Sequence, residues 1–138
     1  MKIKTGNCYT YLTNKNHYFS FIIAEVYKEF TGAVNLGLTP LDIKTNIKPT
    51  LTDLASSKYF EAQLNDIKGP QVYNVWEENF NKESAFLFVG NIEIDQENYN
   101  TINFGPIKSN VIDYLSKVTQ ENFDDDRFSL EPIINLMD

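Results

Sequence analysis

The sequence predicts an α+β domain: a strongly bent, mostly antiparallel five- to six-stranded sheet, a partly open barrel, with a C-terminal helix near residues 109–119. Three observations carry that expectation. Short aromatic and β-branched runs, punctuated by turn residues, fill most of the chain up to Gly105-Pro106. Beyond that dipeptide the apolar spacing lengthens to that of a helix. Finally, 138 residues leave room for one ordinary core, so residues 1–138 are expected to form a single domain. At 42% hydrophobic and 14% aromatic, with ten Phe, eight Tyr and one Trp, the chain carries enough apolar surface to offset the entropy of ordering.

The first strand is expected at residues 8–12, after Gly6-Asn7, and Thr13-Asn14-Lys15-Asn16 is turn chemistry. Residues 18–27 follow, apolar on both faces: Phe19, Phe21 and Ile23 on one, Ile22, Ala24 and Val26 on the other. These two strands should pair as an antiparallel hairpin. Thr31-Gly32 turns the chain into a third strand at 33–38, and residues 40–49 are expected as a polar connection. Thr50 or Thr52 caps a helical turn running through Leu54. Residues 59–65 alternate, with Phe60, Ala62 and Leu64 inward. After the Gly69-Pro70 break, the spacing of Val72, Val75, Trp76 and Phe80 predicts a short helix over 71–80. Phe86, Phe88, Gly90, Ile92 and Ile94 share one face of a strand over 86–94, with Gly90 marking a bulge or a close backbone approach. A last strand is expected at 101–104. Val111, Ile112, Leu115 and Val118 then form a helical stripe behind Ser109 as N-cap. The expected core is Phe19, Phe21, Ile23, Phe60, Leu64, Phe86, Phe88, Ile92 and Leu115.

Residue counts exclude several chemistries. Cys8 is the only cysteine and His17 the only histidine, so one chain can build neither an internal disulfide nor a multi-cysteine zinc site nor a histidine cage. Pairing of the first two strands would bring Cys8 and His17 near one another, a dyad to be weighed against a buried small cysteine. No nucleophile elbow, phosphate loop or dinucleotide fingerprint is present. Asp124-Asp125-Asp126 lacks the mid-loop Gly and closing Glu of a calcium loop. Neither this triplet nor Glu77-Glu78 forms a ready acid/base pair, because adjacent side chains diverge on helix and strand alike. No metal, cofactor or catalytic residue is therefore expected.

The formal net charge is −7, distributed unevenly: residues 1–58 carry +3 and residues 59–138 carry −10. An acidic face repels phosphate backbones, so nucleic acid is not the expected partner. It attracts a basic protein, the plain alternative being a solvated face that serves solubility. Trp76 beside Glu77-Glu78, and Tyr99 between Asn98 and Asn100, put aromatics where a hot spot for a basic partner would need them. The N-terminus lacks the apolar segment and cleavage site of a signal peptide, and no uncharged run approaches the ~18 residues that span a bilayer. A cytoplasmic protein with no membrane partner is expected.

The segment Lys4-Thr5-Gly6-Asn7-Cys8-Tyr9-Thr10-Tyr11-Leu12, followed by Tyr18-Phe19-Ser20-Phe21-Ile22-Ile23-Ala24-Glu25-Val26, resembles the opening hairpin of immunity-protein family 26 of bacterial polymorphic toxin systems. Residues 51–60 and Phe88-Val89-Gly90-Asn91-Ile92-Glu93-Ile94 are similar to later pieces of the same outline, so the likeness runs loosely over residues 4–95. Asn7 stands where the family pattern has Asp. The resemblance implies a cytoplasmic antitoxin that binds a cognate toxin protein and blocks it without catalysis. Charge then nominates toxin-binding residues: Glu121, Asp124, Asp125, Asp126 and Glu131, with Glu77, Glu78 and Tyr99 as secondary candidates. A small-molecule-binding or carboxylate-based hydrolytic β-barrel is the rival reading. Its mark would be a deep apolar pocket with convergent Asp and Glu.

Overall fold

In the computed structural model, residues 3–94, 101–108 and 110–125 are described. Turn chemistry sets the first hairpin. Thr13 Oγ1 and Thr13 N–H both donate to the His17 carbonyl, and Asn16 takes the positive φ of 63° that closes the loop. Strand β1 (Asn7–Leu12) thereby pairs antiparallel with β2 (Tyr18–Lys28), Leu12 opposite Tyr18 and Cys8 opposite Ile22. A second hairpin, closed by Glu29 N–H to Ala33 O and by Gly32 at φ +92°, leads into β3 (Val34–Asp42). This strand runs four residues past the expected end. Pro40 does not stop it, because Pro40 sits opposite Phe21 where no N–H is required of it.

Thr50 caps α1 (Leu51–Ser56) through a capping box: its Oγ1 accepts from Asp53 N–H while Asp53 Oδ2 accepts from Thr50 N–H. The expected strand over 59–65 is split into β4 (Lys58–Tyr59), which pairs β3, and β5 (Glu61–Leu64), which pairs the next strand. Phe60, between them, is fully buried. Leu64 is not in the core, since it ends a hairpin that projects into solvent, with Asn65 at φ 57°. The predicted helix over 71–80 is corrected: Ile67–Trp76 is strand β6, and only Glu77–Asn81 is helical, as α2. β6 is an interior strand that pairs with β3, β5 and β8. Burial of Val72 on one face and Val75 on the other imitates a helical spacing.

β7 (Leu87–Asn91) pairs β1, β8 (Ile102–Pro106) pairs β6 in parallel, and α3 (Val111–Asp124) ends the described chain. The sheet follows the order β5-β6-β3-β2-β1-β7, with β4 and β8 off that path. The α+β class and the mostly antiparallel pairing therefore hold. The strand number rises from the expected five or six to eight among the described residues, and the sheet stays open. α3 extends past the expected residue 119, and Asn110 is its cap, its Oδ1 accepting from Asp113 N–H. Ser109 lies outside the described residues.

Two cores occupy the two faces. Against α3 and α2 lie Tyr9, Tyr11, Phe19, Phe21, Ile23, Leu36, Leu38, Val75, Phe80 and Leu115, with Phe86 packed on them. Against α1 lie Cys8, Ile22, Leu41, Leu54, Tyr59 and Ile92. Because both faces are covered, a strand can move its side chains between cores only by inserting a residue. β2 does so at Ala24, where Ile23 faces Leu38 but Glu25 faces Gly37. β7 does so at Val89, where Tyr9 faces Phe88 but Cys8 faces Gly90. The bulge foreseen at Gly90 is present, but it means that Phe86 and Phe88 do not share a face with Ile92. Phe88, expected in the core, is 41% exposed at the rim. A buried amide pair ties α3 to β6: Gln71 Nε2 donates to Asn122 Oδ1 at 2.8 Å and Asn122 Nδ2 to Gln71 Oε1 at 2.9 Å.

Gly6 and Gly32 separate backbone strain from collision. Both have positive φ, but a Cβ at Gly32 meets open space, whereas one at Gly6 collides with the Ile92 carbonyl. Gly6 also donates to Ile23 O and accepts from Ile92 N–H. Gly32→Ala should cost about 1 kcal/mol and Gly6→Ala at least about 3 kcal/mol, read from urea unfolding midpoints. Equal losses at the two positions would refute the Gly6 packing described.

Candidate functional site

The most distinctive surface lies at the end of the sheet where the β2–β3 hairpin tip meets the junction of β6 and α2. Register builds it: Lys28 pairs Val34, Asn35 pairs Trp76, and α2 begins at the next residue. Glu77 and Glu78 therefore stand beside Thr31, Gly32, Ala33 and Val34, enclosing with Trp76 an open cleft of about 490 Å³. Phe30, at the hairpin tip, is fully exposed, and Tyr27 and Trp76 are exposed as well. Tyr27 points to the face opposite the α3 core, because Val26 is turned toward that core by the bulge at Ala24.

Next to this cleft, on the same end of the sheet, a smaller cavity of about 240 Å³ is lined by Glu25, Tyr27, Glu29, Asn35, Gly37, Asn74 and Asn103. A Cβ at Gly37 would press on Val72 and Glu25, so glycine keeps that floor open. Glu25 Oε1 accepts from Thr101 Oγ1 at 2.8 Å, and Asn74 and Asn103 exchange amide hydrogen bonds at 3.2 and 3.3 Å. Asn35 Oδ1 is buried and has no hydrogen-bond partner among the described residues. The combined surface offers acceptors and aromatic rings, a suitable lining for cationic side chains.

The residues nominated from sequence divide. Glu77 and Glu78 belong to this end, beside Trp76. Glu121 and Asp124 are exposed on the last turn of α3, and Asp125 caps it. Asp124 Oδ1 accepts from Gln120 Nε2 at 2.9 Å. Asp126, Glu131 and Tyr99 lie outside the described residues. Glu25, Tyr27, Glu29 and Phe30 were not nominated, although Phe30 inside the turn Glu29-Phe30-Thr31-Gly32 is a signal, since a large apolar ring gains nothing in a turn on its own. Comparison with protein-family models, curated proteins and solved structures finds no match to this chain.

Among the described residues, no cluster of three or more His, Cys, Asp or Glu has the arrangement of a metal site, and no helix is long and apolar enough to cross a membrane. The cavity that holds two carboxylates with opposite tendencies is lined by Asp42, Asp53, Thr45, Ile47 and Ser56 among others. Burial raises the Asp42 pKa against the pull of Lys58, while hydrogen bonds from Thr50 lower that of Asp53. Both have structural causes, and Asp53 is committed to the capping box of α1.

Cys8 and His17 are not brought together. Cys8 pairs Ile22 and packs in the α1 core, four pairs along the ladder from the turn that holds His17. Its Sγ–H donates to Gly6 O at 3.4 Å, and burial pushes the thiol pKa up to about 12. At pH 8 the thiolate fraction is then on the order of 10⁻⁴. Ellman's reagent should leave the native protein unmodified over minutes and titrate one thiol in urea. Rapid stoichiometric reaction without denaturant would overturn this assignment.

Proposed function

We propose that the chain is an immunity protein: a cytoplasmic, non-catalytic inhibitor that binds a basic toxin domain through the acidic and aromatic end of its sheet. The observation that carries this reading is the exposed Phe30 at the hairpin tip, placed with Tyr27 and Trp76 among Glu25, Glu29, Glu77 and Glu78. Exposed rings amid carboxylates lose nothing by burial against a basic partner, and the charge speeds the encounter. The net charge of −7 and the resemblance of the opening hairpin to immunity-protein family 26 support the same reading. An active toxin site crowded with Lys and Arg would be covered by such a surface, which substitutes carboxylates for the site's anionic substrate.

The rival reading needs an apolar pocket with convergent carboxylates. Three cavities carry paired carboxylates: the cleft at Glu77 and Glu78 is open, the one at Glu25 and Glu29 is small and walled by amides, and the one at Asp42 and Asp53 holds an aspartate already used as a helix cap. The charges of α3 form a second acidic surface, so the two can be separated by experiment.

The partner to use is the product of the neighbouring reading frame, with binding kinetics measured at two ionic strengths. Glu77→Lys combined with Glu78→Lys should slow association about tenfold at low salt, and the difference should shrink at high salt. Phe30→Ser should leave thermal stability unchanged and speed dissociation about tenfold. Co-expression should protect cells from that partner, and these variants should weaken the protection. Unchanged kinetics in them, with loss in Asp124→Lys combined with Asp125→Lys, would move the interface to α3. No binding by the wild-type chain would overturn the proposal.

A further inference from the structure

The smaller cavity at the acidic end is built differently from the open cleft beside it. Antiparallel register lays its walls across three strands: Glu25 faces Gly37, which faces Asn74, and Tyr27 faces Asn35 two pairs further on. Glu29, just past β2, completes the rim. Gly37 has no side chain to fill the space between its neighbours. A Cβ there would lie 3.3 Å from Glu25 Oε2, so that carboxylate leans over the glycine.

The polar groups of this cavity are unbalanced. Glu25, Glu29 and Asn35 are half-buried, and no Lys or Arg lines the space with them. Lys28, their nearest cation in sequence, alternates to the other face with Val26. Asn74 and Asn103 satisfy one another. Glu25 Oε1 accepts from Thr101 Oγ1, which leaves Oε2 without a donor among the described residues. Asn35 Oδ1 is buried and likewise accepts no hydrogen bond among them. A buried acceptor without a donor is costly to the free protein, and native structures seldom keep one. Oxygens are in excess here, and donors are what is missing.

We propose that this cavity seats the guanidinium of one arginine side chain from the basic partner, an inference that rests on the function proposed above. A guanidinium brings five N–H donors on a planar head, enough to serve Glu25 Oε2, Glu29 and Asn35 Oδ1 together, whereas an ammonium is a point charge with three. The exposed Tyr27 ring at the wall offers a face to the planar cation. At about 240 Å³ the space falls below the roughly 300–1,000 Å³ of sites for whole small molecules and suits the end of one side chain. A divalent cation fits less well, because only two carboxylates face the cavity and the Asn74 and Asn103 amides are already paired.

The probe is N-acetyl-arginine methylamide, titrated into the isotope-labelled chain at constant ionic strength and followed by NMR at the Gly37 backbone amide and the Asn35 side-chain amide. The lysine and citrulline analogues and calcium chloride are titrated in parallel. The arginine compound should shift both signals and bind at least about tenfold more tightly than either analogue. Glu25→Gln combined with Glu29→Gln keeps the acceptor for Thr101, so the fold should persist while arginine affinity falls at least about tenfold. Asp124→Asn with Asp125→Asn removes the same charge from α3 and should change that affinity by less than about twofold. Asn35→Leu deletes the unpartnered oxygen: arginine affinity should fall about fivefold while Tm holds or rises, which a merely structural asparagine would not give. In the complex with the product of the neighbouring reading frame, the double Gln variant should dissociate about tenfold faster. Silent Gly37 and Asn35 signals, equal binding of the arginine and lysine compounds, or tighter binding of calcium would overturn the seat. Unchanged dissociation of the double Gln variant would also overturn it, leaving the function proposed above in place. The arginine titration uses no partner, so its failure is distinct from a failure of that function.

Discussion

Phe21 is the ring around which the domain closes. It lies 4.9 Å from Phe86, 5.5 Å from Tyr9, and 6.1 Å from both Tyr11 and Phe80. Those neighbours come from β1, from α2 and from the segment entering β7, so one side chain joins pieces far apart in sequence. Such pairs each add roughly 0.5–1.5 kcal/mol beyond area burial. More important is what the cluster demands of its surroundings. Phe21 must face α3 while Ile22, the next residue, faces α1, which makes β2 a strand with no solvent side over most of its length.

From that two-sided burial follow the bulges, and from the bulges the surface. Were Ala24 not inserted, the alternation of β2 would continue and Val26 would point away from the α3 core. With it, Val26 joins that core, and Glu25 and Tyr27 emerge on the other face. The acidic end of the sheet is therefore a consequence of register, not merely of composition. The same logic holds at Val89, which sends Phe88 toward Tyr9 and Ile92 toward Cys8.

These register changes also explain what could be read from the residues and what could not. β2, the first hairpin, the α1 cap and the α3 stripe were legible because each depends on neighbours within a few positions. The spacing of Val72, Val75 and Phe80 misled, since an interior strand buried on both faces loses its alternation. Leu64 and Phe88 look like core positions by type, and only the path of the chain shows one at a hairpin tip and the other at a rim. The Gln71–Asn122 pair joins residues 51 apart, beyond the reach of any local pattern. Of the candidate interface, Glu77, Glu78 and Trp76 were visible as a cluster in sequence. Glu25, Glu29 and Asn35 were not, because only antiparallel pairing carries them to the same end.

β2 sets the distance between the charged groups at its two ends. Its eleven residues run from the turn bearing Lys15 and His17 to the hairpin bearing Glu29 and Phe30. At about 3.3 Å per residue the two ends are separated by roughly 30 Å. That exceeds the ~8 Å screening length at physiological ionic strength several-fold, so charges at one end contribute little to the potential at the other. Coupling between them would have to be mechanical, through movement of β2. A strand packed on both faces and hydrogen-bonded to β1 and β3 along its sides resists such movement. Charges at the two ends of β2 therefore act independently of one another.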